Sequence, residues 1–157
     1  MAVVLYQEQS VAEVNTHEKT VLLVEDDPSA IAFAQEASGL CEPPIHLVVV
    51  EDSVEALVWL ARSQKERNRM PGLILLDLKL PKLTGLAVLR RLRMDANTED
   101  LPIIVFSELC EQADVLLSYQ IGANSFVSKP LDISQFKQLL TDITAYWLQP
   151  RQRKLAL

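Results

Sequence analysis

Residues 73–78, Leu-Ile-Leu-Leu-Asp-Leu, limit the fold more than any other stretch. The run lies between Pro71-Gly72 and Pro81, and Asp77 is its only polar residue. An apolar run this short, closed by turn residues at both ends, suits a strand buried on both faces, as in a parallel sheet. Inside such a strand a carboxylate would be desolvated at high cost. At the carboxyl end, where open α/β sheets form their ligand crevice, the same acid has a use.

The rest of the chain repeats this unit. Residues 20–24 are β-branched and apolar, and they end in Glu25-Asp26-Asp27-Pro28. Asp before Pro is an N-cap followed by a first-turn proline, so a helix is predicted over 29–38, stopped by Gly39. A strand follows at 45–50. Asp52-Ser53-Val54-Glu55 reads as a capping box for a helix to about Ser63, with Val54, Leu57, Leu60 and Ala61 inside. After the Asp77 strand, a helix from Thr84 carries Leu86, Val88, Leu89 and Leu92, with Arg90, Arg91 and Arg93 on a solvated face. A fourth strand at 103–106 ends in Ser107-Glu108, and a helix at 111–120 stops at Gly122. A fifth strand at 124–127 ends in Ser128-Lys129-Pro130. The last helix, 132–148, has a stripe of Ile133, Phe136, Leu140, Ile143 and Trp147, which Leu139 and Tyr146 widen. Strand then helix, five times, is an α/β pattern: a doubly wound parallel sheet with helices on both faces. Residues 19–149 form one domain in this reading, with an N-terminal tail at 1–18 and a basic tail at 150–157.

Composition narrows the function. A net charge of -6 argues against nucleic acid, which needs clustered Lys and Arg. Cys41 and Cys110 have neither disulfide-framework nor zinc spacing, which suits a reducing cytoplasm. No apolar run reaches the roughly 20 residues that span a bilayer, and the start lacks a signal peptide's pattern. His17 and His46 stand alone, as surface or structural residues. Acids follow the first strand where a dinucleotide site would have Gly-x-Gly-x-x-Gly, and there is no Gly-rich phosphate loop.

Parallel strands share one carboxyl edge. The first brings Asp26 and Asp27 there, the third Asp77, the fourth Ser107 and the fifth Lys129. Alone, an acid triplet is ordinarily a helix cap with solvated neighbours. Three carboxylates close together repel, and a hard cation such as Mg²⁺ would keep them ionised. With the Ser107 hydroxyl and the Lys129 ammonium beside it, Asp77 has the surroundings of a nucleophile that forms an acyl phosphate.

These residues resemble the response-regulator receiver domains, the CheY-like family, over about 20–148. Glu25-Asp26-Asp27, Leu76-Asp77-Leu78-Lys79-Leu80-Pro81 with Gly85, Ser107, Gly122-Ala123 and Lys129-Pro130 carry the resemblance. It implies a flavodoxin-like sheet of strand order 2-1-3-4-5, and phosphoryl transfer from a histidine kinase to Asp77. It implies Mg²⁺ held by Asp77, Asp27 and the Lys79 carbonyl, with Asp26 acting through water. Ser107 and Phe126 fall at the family's switch pair, and Lys129-Pro130 is expected to be cis. Glu25-Asp26-Asp27-Pro28-Ser29, Ser118-Tyr119-Gln120, Gly122-Ala123-Asn124 and Tyr146-Trp147 further resemble the single-domain regulators that partner bacterial and cyanobacterial phytochromes. That resemblance implies a phytochrome-type kinase and no DNA-binding domain. It also implies a homodimer through the last two helices and the fifth strand, at a face with Tyr119, Phe136, Tyr146 and Trp147. Lys79 and Glu108 depart from the usual residues and are expected to tune phosphate lifetime. The protein is expected to be a phosphoacceptor switch, not an enzyme. A receiver-like adaptor that works without phosphate is the competing reading. A Mg²⁺-dependent phosphatase is disfavoured, because it needs Asp-x-Asp where this chain has Asp77-Leu78-Lys79.

Overall fold

The computed structural model describes residues 19–66, 69–108 and 111–148. Both predicted tails and Cys110 lie outside these residues.

Each apolar run forms a strand: β1 (Thr20–Val24), β2 (His46–Val50), β3 (Leu73–Asp77), β4 (Ile103–Ser107) and β5 (Ser125–Ser128). Between and after them lie α1 (Pro28–Leu40), α2 (Ser53–Lys65), α3 (Gly85–Met94), α4 (Gln112–Ile121) and α5 (Ile133–Trp147). All strand pairs are parallel, in the order β2-β1-β3-β4-β5, as the resemblance implied. The three central strands are buried along their whole length, whereas β2 and β5, at the edges, are partly exposed. Near-continuous hydrophobic sequence in β1, β3 and β4 follows from having helices on both faces.

Alternation sorts each strand between two cores. Leu22, Val24, Ile74, Leu76, Ile103 and Val105 pack with Ala56 and Leu60 of α2, Val88, Leu89 and Leu92 of α3, and Ala123. Val21, Leu23, Leu73, Leu75, Ile104 and Phe106 face α1 and α5, through Ala34, Ala37, Phe136, Leu140 and Ile143.

Two helices depart from expectation. Gly39 does not end α1, which continues to Leu40 before the backbone turns extended at Cys41. Gly39 has open space around it, and the Glu42-Pro43-Pro44 segment beyond supplies the stop. In α2 the inner face is Ser53, Ala56, Leu60 and Ser63, while Val54 and Ala61 are exposed. Leu60 is buried as expected and Leu57 packs on the core beside it, with small residues along the rest of the line.

Arg93 leaves the solvated face assigned to it. Its guanidinium donates to the carbonyls of Gly122 (2.8 Å) and Glu99 (2.9 Å) and to Asn124 Oδ1 (2.8 Å), bolting α3 to the loops around β4 and β5. Arg90 and Arg91 are exposed as expected.

Candidate phosphoacceptor site

β3 ends on Asp77, which is 2% exposed. Two donors meet its carboxylate: the Lys129 ammonium reaches Oδ2 at 3.1 Å, and the Lys79 backbone N–H reaches Oδ1 at 3.2 Å. Lys129 arrives there by strand geometry. Its own N–H donates to the Ser107 carbonyl at 3.0 Å, extending the β4–β5 ladder one step and aiming the side chain across the sheet edge. The ammonium also lies 5.4 Å from the centre of the Phe106 ring.

Gly85 makes the junction between β3 and α3 possible. A Cβ at that position would run into the Asp77 carbonyl oxygen, so α3 lies directly on the main chain of Asp77. The Gly85 N–H closes the loop by donating to Leu78 O at 2.9 Å.

The acidic cluster sits one residue earlier than expected. Carboxylate oxygens of Glu25, Asp26 and Asp77 lie within 4.8 Å of one another. Glu25 is fully buried; its Oε1 accepts the N–H groups of Asp26 (3.1 Å) and Asp27 (3.0 Å), and its Oε2 pairs with Lys129 Nζ at 2.7 Å. Asp27 was expected to ligate the metal. Instead its Oδ1 caps α1, accepting the Ser29 N–H at 3.2 Å, although the residue still lines the rim. The Asp-Pro signature that marks the cap already commits Asp27 and leaves Glu25 and Asp26 for the site.

Burial pushes the Glu25 carboxyl up to about 7, against the opposing pull of its Lys129 hydrogen bond. Burial disfavours the Lys129 ammonium, but Glu25 and Asp77 outweigh it and hold the lysine above its ordinary value. Lys129 therefore stays charged.

The cleft over these groups holds about 280 Å³ and is also lined by Ser107, with Lys79 and Glu108 exposed at its edge. Its donors are all oxygen, as a hard divalent cation requires. Glu25 Oε2 is buried and paired with the Lys129 ammonium at 2.7 Å, and the Glu25 carboxylate lies close to those of Asp26 and Asp77. The cluster therefore fits such an ion.

Register puts Ser107 and Phe126 on the same face of the sheet, because Val105 pairs with Phe126 and Ser107 with Ser128. Phe126 is half-buried against the α2–α3 side, and its N–H donates to the Tyr119 hydroxyl at 3.1 Å. Two expectations are corrected. Lys129-Pro130 is not cis; the cis bond among the described residues is Glu42-Pro43, and the lysine meets both carboxylates across an ordinary trans bond. Phe136 is not on a partner face: it is 1% exposed and stacks edge-on with Phe106 at 6.3 Å, so a stripe residue expected outside belongs to the core. Tyr119 and Tyr146 are exposed, and Trp147 is half-buried against the Tyr146 ring at 4.8 Å.

A buried aspartate at the end of the third parallel strand, with a lysine and an acid pair around it, defines a phosphoacceptor module. Residues 21–141 match the family model of the response regulator receiver domain, and the chain belongs to that family. It is 28% identical to response regulator Rcp1 of Synechocystis sp., over 83% of this chain and 90% of Rcp1. The Mn²⁺-bound form of Rcp1 has the same fold, with a TM-score of 0.72 over 84% of this chain and 96% of that one. The phosphorylated cyanobacterial phytochrome response regulator RcpA is 33% identical, with a TM-score of 0.74 over 83% of this chain and 94% of its own. The bacteriophytochrome response regulator AtBRR is 34% identical, with a TM-score of 0.65 over 82% and 94%. The protein is thus a receiver of two-component signalling, a class that accepts phosphoryl groups, works with histidine kinases and binds a divalent metal. No helix among the described residues is long and apolar enough to cross a membrane.

Proposed function

We propose that Asp77 is the phosphoacceptor of a cytoplasmic response regulator served by a phytochrome-type histidine kinase. The observation that carries this is the buried Asp77 carboxylate, held between the Lys129 ammonium and the Lys79 N–H beside two further acids. An Asp77 oxygen attacks phosphorus as the P–N bond of a kinase phosphohistidine breaks, leaving an acyl phosphate on the aspartate. Lys129 and the Ser107 hydroxyl hold the phosphoryl oxygens, and the Lys79 N–H steadies the oxygen of Asp77 that does not attack. Asp26, Asp77 and the Lys79 carbonyl are the groups that would hold Mg²⁺, with Glu25 behind them. The ion's contribution is to neutralise charge on the transferring group.

The same groups accept phosphate from small donors and release it slowly to water. Lys79 and Glu108, both exposed at the rim, set the lifetime: the lysine screens the phosphoryl charge and the glutamate opposes it or orders water. Added charge at Asp77 draws Ser107 inward, and Phe126 follows into the space behind it. The readout is a homodimer through α4, β5 and α5, with Tyr119, Tyr146 and Trp147 at its face. The likeness to RcpA and AtBRR supports a phytochrome-type kinase as donor. Incubation with acetyl phosphate and Mg²⁺ tests the central reading. One phosphoryl group should be added to the wild type and none to Asp77→Asn; equal labelling of both would refute it.

A further inference from the structure

We propose that Ser53 is a positioning residue of the phosphoacceptor site: its buried hydroxyl fixes the loop from which Lys79 presents its main chain to Asp77. The inference rests on the reading of Asp77 as phosphoacceptor and metal ligand.

Ser53 opens α2, on the far side of the loop that joins β3 to α3, and it is fully buried. Its Oγ donates to the Pro81 carbonyl at 3.0 Å and accepts the Leu83 N–H at 2.8 Å. One hydroxyl therefore grips the loop on both sides of Lys82. Lys82 has a φ of 73°, a left-handed conformation that a residue with a Cβ resists. Such a conformation persists only where its surroundings over-determine it, and it often marks a functional loop. The Lys82 ammonium also meets Asp52 Oδ2 at 2.9 Å, but this pair is open to solvent and holds the turn weakly. Ser38 and Ser118 are buried too, yet their hydroxyls bond carbonyls of their own helices. Ser53 instead reaches across to another element.

The loop is thus pinned twice. Gly85 closes its stem through the Leu78 carbonyl, and Ser53 closes its tip. Lys79 lies between the pins, with its N–H on Asp77 Oδ1. Without the Ser53 hydroxyl, the Pro81 carbonyl and the Leu83 N–H turn to water and the strained turn at Lys82 can relax. Lys79 then loses its fixed place beside Asp77. A group that orients a metal's ligands shows itself in metal affinity.

The test is calorimetric titration of the full chain with Mg²⁺, with melting temperatures in EDTA measured alongside. Ser53→Ala should weaken Mg²⁺ binding about tenfold. Adding Lys82→Gly, which suits a positive φ without any clamp, should recover most of that loss even though it removes the Asp52 pair. Unchanged Mg²⁺ affinity in Ser53→Ala, with only a lower melting temperature, would overturn the proposal by making the serine merely structural. Failure of Lys82→Gly to recover binding would overturn it as well. Asp77→Asn tells the two readings apart: if it takes up a phosphoryl group from acetyl phosphate as the wild type does, the phosphoacceptor reading falls first and this inference with it.

Discussion

Glu25 is the residue whose charge depends most on what occupies the site. Its carboxyl is raised by burial from 4.5 to about 7, so between those values the metal-free fold holds a proton there that the unfolded chain has lost. The sign follows from linkage: its contribution to stability is fully present below about 4.5 and is lost as pH rises through about 7. The melting temperature in EDTA should fall over that interval, and Glu25→Gln should flatten the fall. Because a cation competes with this proton, Mg²⁺ should raise the melting temperature more at pH about 8 than at about 6. A Mg²⁺ effect independent of pH would contradict this account of Glu25. At the rim, Glu108→Ala should lengthen the phosphate lifetime, as read by loss of label after the donor is removed; a rate equal to wild type would remove Glu108 from the account. Asp77, Ser107 and Lys129 were legible in the sequence because each polar group ends an apolar run. Glu25 was not, because a triplet of acids does not say which is buried until the cap at Asp27 is taken into account. Ser53 looked like part of a helix start, and its bonds to Pro81 and Leu83 join elements far apart in sequence.

At the scale of elements, the contact between α3 and the end of β3 decides whether the site forms. Gly85→Ala drives a methyl into the Asp77 main chain, where a flexible side chain is not there to yield. It should cost about 1–3 kcal/mol in urea unfolding, the usual range for overpacking. It should also lower labelling by acetyl phosphate more than the stability loss explains. Wild-type stability would mean that α3 can shift freely away from Asp77. Strand positions were readable because short apolar runs bounded by turn residues have few alternatives. Helix faces were less so. In α2 Leu60 is buried and Leu57 packs on the core as expected, but Ser53, Ala56 and Ser63 are buried where Val54 and Ala61 were expected; in α5 the apolar stripe was wide enough to place Phe136, which is core, on a face with Tyr146, which is exposed.

For the whole molecule, doubly wound topology separates the strand-end site from the outer faces of the last two helices. The ends of β1, β3, β4 and β5 bring the cleft residues to one edge, while Tyr119 and Tyr146 lie on outward surfaces of α4 and α5. The Tyr119 hydroxyl is bonded to the Phe126 backbone, which ties this surface to the strand next to Ser107. A beryllofluoride salt with Mg²⁺ should therefore raise the dimer fraction in light scattering, and Tyr146→Ser should reduce it. An oligomeric state indifferent to both would contradict dimerisation as the readout. The most direct measurement is of where the phosphoryl group goes. Borohydride reduces an aspartyl phosphate to homoserine, which peptide mass spectrometry locates to a single position. After labelling with acetyl phosphate and Mg²⁺, homoserine should appear at position 77. Homoserine at 26 or 27, or at none of these, would contradict the account.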